Sequence, residues 1–484
     1  MRMMNGGMAG MGLAAMLAMP AQAAVTAEDA AALERDLRGW AAGLLAPLVD
    51  PAAVPLRVLP GGEGFRMEIG MVPVPGFSIT PDIALTAQLR PLPDGRWAVD
   101  DLRLPAALTA SMAKEAAPLF AMSIGTQQAR GEFDPALRTP SRFEGRYTDV
   151  VETVGVAQGK STTRMATVAY SGSWEPAGAG LIDSADRIST AGYSIEQTLP
   201  DGQPLRITVR ELTARSKGIG VSPANIGTAI RAIAALAGDV IASPDRARAD
   251  APTAGQRKLM HTVLDSLAAL FVRLETEQTW SGLTATTPAG SGQLDKLSVA
   301  TRMAAPGGKA EFAAQLELAG LTTSLLPAGP MRQLVPRRIA IAPRFTGVPK
   351  SEVLALLGRA IDTAGDPDTD LAGDALALLA DNPATIALDD LDIDLGISRL
   401  RGSGEVNVAA ADDISGTLEL RMSGLDALLR TLRQVPEAAQ VAPVLLMLKG
   451  LGEASGNETV WRIEYADSKV TVNGTDLSDM IPRK

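Results

Sequence analysis

The chain has 484 residues, with 45 Lys and Arg against 55 Asp and Glu, and a formal net charge of −10. Because no basic block stands out, nucleic-acid binding, which depends on clustered Lys and Arg, is disfavoured. The chain has no Cys and a single His, which excludes disulfides and the usual His and Cys metal sites. Only 4% of the residues are aromatic, which disfavours a carbohydrate-binding surface built from stacked aromatic rings.

Residues 1–23 have the pattern of a secretory signal peptide. One Arg precedes an apolar run from Met8 to Met19, and small residues at 21–23 suit a cleavage site. The run is shorter than the about 20 residues that a membrane-spanning helix needs. We therefore expect export to the periplasm and no transmembrane span after cleavage. A retained signal that anchors the chain is the alternative.

The segment 24–241 is predicted to form a first domain, an N-terminal helix followed by a β-rich meander. Apolar residues from Leu33 to Leu44 recur at helical spacing. From about Pro55 the period changes to two, as in "RWAVDDLRL" and "PLRITVRELTAR", which is typical of half-buried strands. The predicted domain ends in an apolar helix that has Pro223 near its start.

A linker or exposed loop is predicted at 242–255, where the sequence is polar, rich in Ala and interrupted by Pro. The segment 256–484 is predicted to form a second, β-rich repeat domain with packed helices. It opens with a helix over 256–277 and closes with a hairpin that turns at Asp467 and Ser468.

A short phrase, Leu-Asp-x-Leu-x-aliphatic, recurs along the chain and suggests an internal repeat. Its copies start at Leu294 and Leu388, and a related "VDDLRL" starts at Val99. The closing phrases "LELAGL" at 316–321 and "LELRMSGL" at 418–425 also match. The predicted fold class is α+β: long curved antiparallel sheets built from repeated strand-hairpin-helix units, with amphipathic helices packed on one face.

The acidic run "LDDLDIDL" contains Asp390, Asp392 and Asp394 at alternate positions, like the start of an EF-hand loop. The later loop positions do not fit, because Leu395 stands where a Gly is needed and Arg401 where a bidentate Glu is needed. Alternation in a strand places the three acids on one face, and we expect that face to be exposed to water. A weak surface calcium site is the alternative.

Two further features, a phosphate-loop-like motif and the single His, are not expected to have a catalytic role. "GKSTT" at 159–163 resembles a phosphate-binding loop but continues as a strand where a helix is required. His261 is expected to be a partly exposed helical residue, because no nucleophile turn accompanies it. The sequence therefore predicts no catalytic residue, no cofactor and no metal ligand.

The stretches "LTAQLRPLPDGRWAVDDLRLPAAL", "GSGEVNV" and "GTLELRMSGLDALLRTL" carry a resemblance to known proteins. They resemble uncharacterised proteobacterial periplasmic families known only as domains of unknown function, and more distantly AsmA-like and YdgA-like envelope proteins. The resemblance implies an envelope location and a repetitive β architecture with an apolar groove for acyl chains. It transfers no catalytic residue.

The leading functional hypothesis is a non-enzymatic periplasmic protein that binds a lipid or other amphiphile in an apolar groove. The residues predicted to line this groove belong to one apolar helix and are Val441, Val444, Leu445, Met447, Leu448 and Leu451. A fully buried core helix explains the same residues equally well. The alternatives for function are an envelope scaffold that has a protein partner and no ligand, and a hydrolase of an envelope polymer.

Overall fold

The computed structural model shows one continuous antiparallel sheet accompanied by helices. It describes residues 25–45, 55–61, 63–71, 77–112, 118–135, 139–156, 159–199, 201–242, 251–305, 308–326, 328–366, 368–409, 413–436, 439–466 and 469–477. The predicted signal peptide, residues 1–23, lies outside the described residues, as does most of the predicted linker.

Seven α-helices are found in the described part of the chain. They are α1 (Ala27–Leu45), α2 (Pro223–Ala242), α3 (Ala254–Ala268), α4 (Lys350–Asp362), α5 (Leu371–Asp381), α6 (Leu425–Leu432) and α7 (Ala442–Leu451). None of these described helices is both long and apolar enough to cross a membrane.

The described residues form 24 strands. The N-terminal strands are β1 (Leu56–Gly61), β2 (Gly64–Gly70), β3 (Phe77–Thr80), β4 (Ile83–Pro91), β5 (Trp97–Arg103), β6 (Ala107–Met112), β7 (Phe120–Ser123) and β8 (Thr126–Asp134). The central strands are β9 (Thr139–Val156), β10 (Gly159–Gly178), β11 (Leu181–Thr198), β12 (Pro204–Val221), β13 (Arg273–Thr287), β14 (Gly290–Ala304), β15 (Lys309–Ala319), β16 (Thr322–Thr323) and β17 (Arg338–Pro349). The C-terminal strands are β18 (Ala384–Asp394), β19 (Arg399–Val408), β20 (Ile414–Ser423), β21 (Glu453–Ser455), β22 (Glu458–Ala466), β23 (Lys469–Val472) and β24 (Thr475–Asp476).

Most strands pair with their neighbours in the sequence. The backbone pairing runs β1, β2, β4, β5, β8 and then β9 to β15, and it continues through β17 to β20, β22, β23 and β24. A short branch of β3, β6 and β7 joins the far end of β9, beside β8. Because open sheets of this width must twist and curl, the ladder is a long twisted ribbon.

The α+β prediction is wrong, because the protein is sheet-dominated. Helix α1 precedes the first strand, and the other described helices are insertions between strands of one continuous ladder. The reason is visible at the junction of the two predicted domains, where β12 and β13 pair from Ile219 with Arg273 to Arg206 with Thr286. This pairing also shortens the helix predicted over 256–277. Helix α3 ends at Ala268, and the chain enters β13 after Val272, whose N–H donates to Ile219.

The sheet is covered at its two ends. Near the N-terminal end, α1 packs with Ala30 and Leu33 against Val58, Phe65 and Leu89. Near the C-terminal end, α6 and α7 pack on the sheet around Trp461. The remaining helices contact one another in succession, α2 with α3, α3 with α4 and α4 with α5. His261 of α3 contacts Asp362 of α4 through a 2.7 Å hydrogen bond.

Candidate functional site

An unbroken row of apolar side chains crosses the central sheet. Each member is directly opposite the next in the strand pairing, from β12 through β13, β14, β15, β17 and β18 to β19. The members of this first row are Leu212, Trp280, Leu297, Leu318, Ile339, Ile393 and Leu400. At about 4.8 Å between neighbouring strands, the row is about 29 Å long.

A second row lies two residues away along the strands and therefore on the same face. Its members are Val299, Leu316, Ile341 and Leu391. Further along the same strands, Phe312, Phe345 and Ile386 are opposite one another and continue the apolar surface. The two rows together are called the apolar sheet face below.

The apolar sheet face is not sealed into a core. All eleven residues of its two rows are only half-buried. Phe312 and Ile386, which continue it, are 44% and 49% exposed. Among the described residues, two clusters of buried apolar side chains lie near the ends of the ladder and a third lies on β9 and β10. None contains a residue of β11 to β18, and Leu400 is the one member of the rows that packs against a cluster, the C-terminal one. The centre of the sheet thus presents apolar surface that the chain itself covers incompletely.

The repeated Leu-Asp-x-Leu phrase contributes to this surface through β-bulges. In β18, Leu388 and Leu391 lie three residues apart, which in a regular strand would place them on opposite faces. A register shift between them inserts one extra residue, so both face the same side. The copy in β5 has a similar shift at Asp101, whose φ is 50°, and both Val99 and Leu102 pack on the N-terminal core. The phrase therefore coincides with a bulge in two of its three copies, whereas in β14 the pairing runs from Leu294 to Leu297 without a register shift.

The opposite face of the same strands is charged. Lys296 donates to Glu317, and Glu317 accepts a second hydrogen bond from Arg338. Arg338 and Arg399 both donate to Asp392. These five side chains come from β14, β15, β17, β18 and β19, and form an ion-pair ladder across the sheet.

The expectation that Asp390, Asp392 and Asp394 share a water-exposed face is wrong for Asp392. Its alternation with Leu391 and Ile393 is as predicted, but the residue is only 3% exposed. The cause is its two arginine partners, which cover the carboxylate and hold it. The hydrogen bond from Arg399 keeps the pKa of Asp392 below its ordinary value in spite of burial. No group of three or more His, Cys, Asp or Glu side chains in the described residues is arranged to hold a metal.

Of the six residues predicted to line a groove, five lie in α7 and Val441 directly precedes it. The six are divided between two sides of the helix. Leu445 and Leu451 pack on the C-terminal core, and the carbonyl of Leu448 accepts a 2.7 Å hydrogen bond from Trp461 Nε1. On the other side, Val441, Val444 and Met447 are 47–52% exposed. The helix is thus a half-buried cover of the C-terminal core, and its exposed side is apolar.

One comparison with known proteins identifies the family. The model of a family described as an uncharacterised protein conserved in bacteria, DUF2125, matches residues 195–473, which is more than half of the chain. The chain belongs to the DUF2125 family. No curated protein matches it, and no solved structure does. The region that matches DUF2125 contains both rows of the apolar sheet face and helix α7.

Sequence reasoning placed the apolar site on α7 and missed the apolar sheet face. The alternation in each strand was visible, for example Leu297 with Val299 and Leu316 with Leu318. Which strand pairs with which, and in what register, cannot be obtained from the alternation of single strands. The rows become visible only when the strands are placed side by side.

Proposed function

We propose that this DUF2125 protein is a non-enzymatic component of the bacterial envelope that binds the apolar part of a lipid or other amphiphile. The single observation that supports the proposal is the apolar sheet face. Its first row, aliphatic except for one Trp, crosses seven strands, its second row crosses four, and all members are half-buried. Monomeric proteins seldom leave a large continuous apolar surface open unless it has a partner.

An extended hydrocarbon chain suits this surface better than a compact ligand does. The first row is about 29 Å long, and the two rows together are only two side chains wide. Burial of hydrocarbon against it is favourable by about 25 cal/mol per Å² of apolar area removed from water. The row contains no charged side chain, so affinity would depend on apolar contact alone.

The envelope location in this proposal rests on the signal-like N-terminus of the sequence and on the resemblance to periplasmic families. A second candidate function, binding a protein partner without a lipid, is favoured by the exposed apolar side of α7. Val441, which directly precedes α7, and Val444 and Met447 within it lie three residues apart, on one side of the helix.

One experiment tests the proposal and separates the two candidates. The full-length protein is purified from the envelope of its host, extracted with organic solvent and analysed by mass spectrometry. In parallel, the delipidated protein is titrated with a fluorescent fatty acid. Co-purified lipid together with saturable uptake of the probe supports amphiphile binding. Recovery of no lipid together with no uptake of the probe would overturn it and favour the protein-partner function.

A further inference from the structure

A polar trough lies on the face of the sheet opposite the apolar sheet face. It consists of two adjoining concavities of about 950 and 930 Å³, which share Ser171 and Arg187 in their linings. The first crosses β5 and β8 to β11, and the second crosses β10 to β15, β17 and β18. Volumes of this size are typical of sites for small molecules.

The trough contains arginines that lack an acidic partner. Arg187 of β11 and Arg146 of β9 form no ion pair with any acidic side chain that the structure describes. The acids in the first concavity already have partners, since Asp101 pairs with Arg103, Asp100 with Arg90, and Glu144 with Arg130. Those acids therefore do not neutralise Arg187 or Arg146.

Arg187 also lies directly opposite a second cation. Its partner position in β12 is Arg215, whose own contact with Glu277 is a loose 3.9 Å. Side chains directly opposite each other start from Cβ atoms about 5 Å apart, and like charges at such positions are destabilising. In a protein of net charge −10, the two facing arginines form a local concentration of positive charge, which Glu277 on the far side of Arg215 offsets only loosely.

Small side chains provide the space between these arginines. Ser171 lies opposite Arg187, and Ala169 lies opposite Arg146. Ser189 and Ala185 flank Arg187 along β11, on the same face. Strands favour bulky side chains, so a patch of Ala and Ser forms a floor that guanidinium groups surround.

We propose that Arg146, Arg187 and Arg215 form a binding site for a ligand that carries a phosphate group. Guanidinium forks match the oxygens of phosphate and donate paired hydrogen bonds to them. A phosphate group carries more than one negative charge and several acceptor oxygens, so one group can engage two arginines. The Ser171 hydroxyl, opposite Arg187, adds a donor. Binding relieves the repulsion between Arg187 and Arg215.

The test uses calorimetric titration of the full chain with three probes: inorganic pyrophosphate, a water-soluble short-chain phosphatidic acid, and citrate as a carboxylate of similar charge. The test variant is Arg146→Gln combined with Arg187→Gln. The matched control, Arg206→Gln with Arg462→Gln, removes the same charge from exposed arginines outside the trough. Circular dichroism verifies the fold of both variants.

We expect a phosphate probe to bind, with an affinity that falls as salt is raised. The test variant should lose at least about tenfold in affinity, while the control changes less than about twofold. Binding of pyrophosphate indicates a free phosphate compound, and binding of the phosphatidic acid alone indicates a lipid headgroup. Equal binding of citrate, equal loss in the control, or no binding of either phosphate probe would overturn the proposal. Because the trough and the apolar sheet face lie on opposite faces, fatty-acid uptake should be unchanged in the test variant.

Discussion

Arg399 holds Asp392 with two parallel hydrogen bonds, from Nε to Oδ1 and from Nη2 to Oδ2, each 2.7 Å long. Paired hydrogen bonds between ionised groups are among the strongest in proteins. Arg338 donates to the same carboxylate from the other side. Asp392 therefore joins β17 to β19 through β18, on the charged face directly behind the apolar sheet face.

Replacing Asp392 with Asn should destabilise the fold. The substitution keeps the shape of the side chain but leaves two arginines without their shared carboxylate. We expect a loss of about 2 kcal/mol, below the cost of breaking a fully buried pair because both arginines are partly exposed. The control Asp390→Asn changes an exposed neighbour and should cost less than about 0.5 kcal/mol. Urea denaturation of the variants measures both values, and equal losses would contradict the assigned role.

The ion-pair ladder should also make stability depend on pH. Hydrogen bonds from Arg399 and Lys296 lower the pKa values of Asp392 and Glu317, respectively, below their ordinary values of 3.8 and 4.5. Carboxyls with a lowered folded-state pKa stabilise the fold above their unfolded pKa, and this contribution is lost as pH falls through the folded pKa. The wild type should therefore lose urea resistance below about pH 4. Asp392→Asn should show a shallower dependence, and an unchanged dependence would exclude Asp392 as a source.

Two glycines should respond in opposite ways to replacement by Ala. In β19, a Cβ at Gly404 would overlap the backbone of Thr417 and Leu418 in the paired strand β20. We expect Gly404→Ala to cost about 1–3 kcal/mol, because the ladder must open to admit it. Gly450 lies inside helix α7 with open space around its Cβ position. Gly450→Ala should stabilise the protein by about 0.5–1 kcal/mol. Thermal unfolding measures both stability changes. A Gly404→Ala variant more stable than Gly450→Ala would contradict the register of β19 with β20.

Two alanine substitutions in helix α7 compare its buried side with its exposed side. Leu445→Ala removes a side chain that packs on the C-terminal core and should cost about 2 kcal/mol. Val444→Ala removes a side chain that is 52% exposed and should change stability by less than about 0.5 kcal/mol. Both values come from the same denaturation experiment. A larger cost for Val444→Ala would show that the exposed side of α7 is covered in solution.

The alternation of apolar and polar residues in the strands was predictable from the sequence. The position of the two rows of the apolar sheet face was not. The alternation of Leu391 and Ile393 with acids indicated a strand whose two faces differ, and this is what β18 shows. Its charged face was misjudged at Asp392, because the arginines that bury the carboxylate come from other strands. Burial of a polar side chain depends on such non-local partners.

The recurring Leu-Asp-x-Leu phrase indicated a repeat, which stays a prediction. Its local meaning is clearer, because the three-residue spacing of its leucines is incompatible with a regular strand that has one apolar face. A bulge resolves that conflict at Asp101 in β5 and between Leu388 and Leu391 in β18. In β14 no register shift separates Leu294 from Leu297, so these two leucines lie on opposite faces of the strand. The spacing was visible in the sequence, but it does not predict a bulge by itself, because one of the three copies has none.

The error in fold class has a similar physical origin. Helical periodicity near residues 223–241 and 256–277 favoured a mixed α+β class, and the polar segment 242–255 between them indicated a linker. The strands on either side, β12 and β13, pair with each other and continue one sheet. Local periodicity predicts the elements, whereas the continuity of the ladder is set by pairing between strands that are distant in the sequence.

The central claim is that the apolar sheet face binds hydrocarbon, and two substitutions in β15 test it most directly. Leu316→Glu places a charge on the apolar sheet face, and Gln315→Glu places the same charge on the opposite face of the same strand. If both variants keep the wild-type circular dichroism, fatty-acid affinity should fall at least about tenfold in Leu316→Glu and stay within about twofold in Gln315→Glu. If Leu316→Glu does not fold, the neutral Leu316→Gln takes its place. Unchanged uptake in the folded Leu316 variant would contradict the claim.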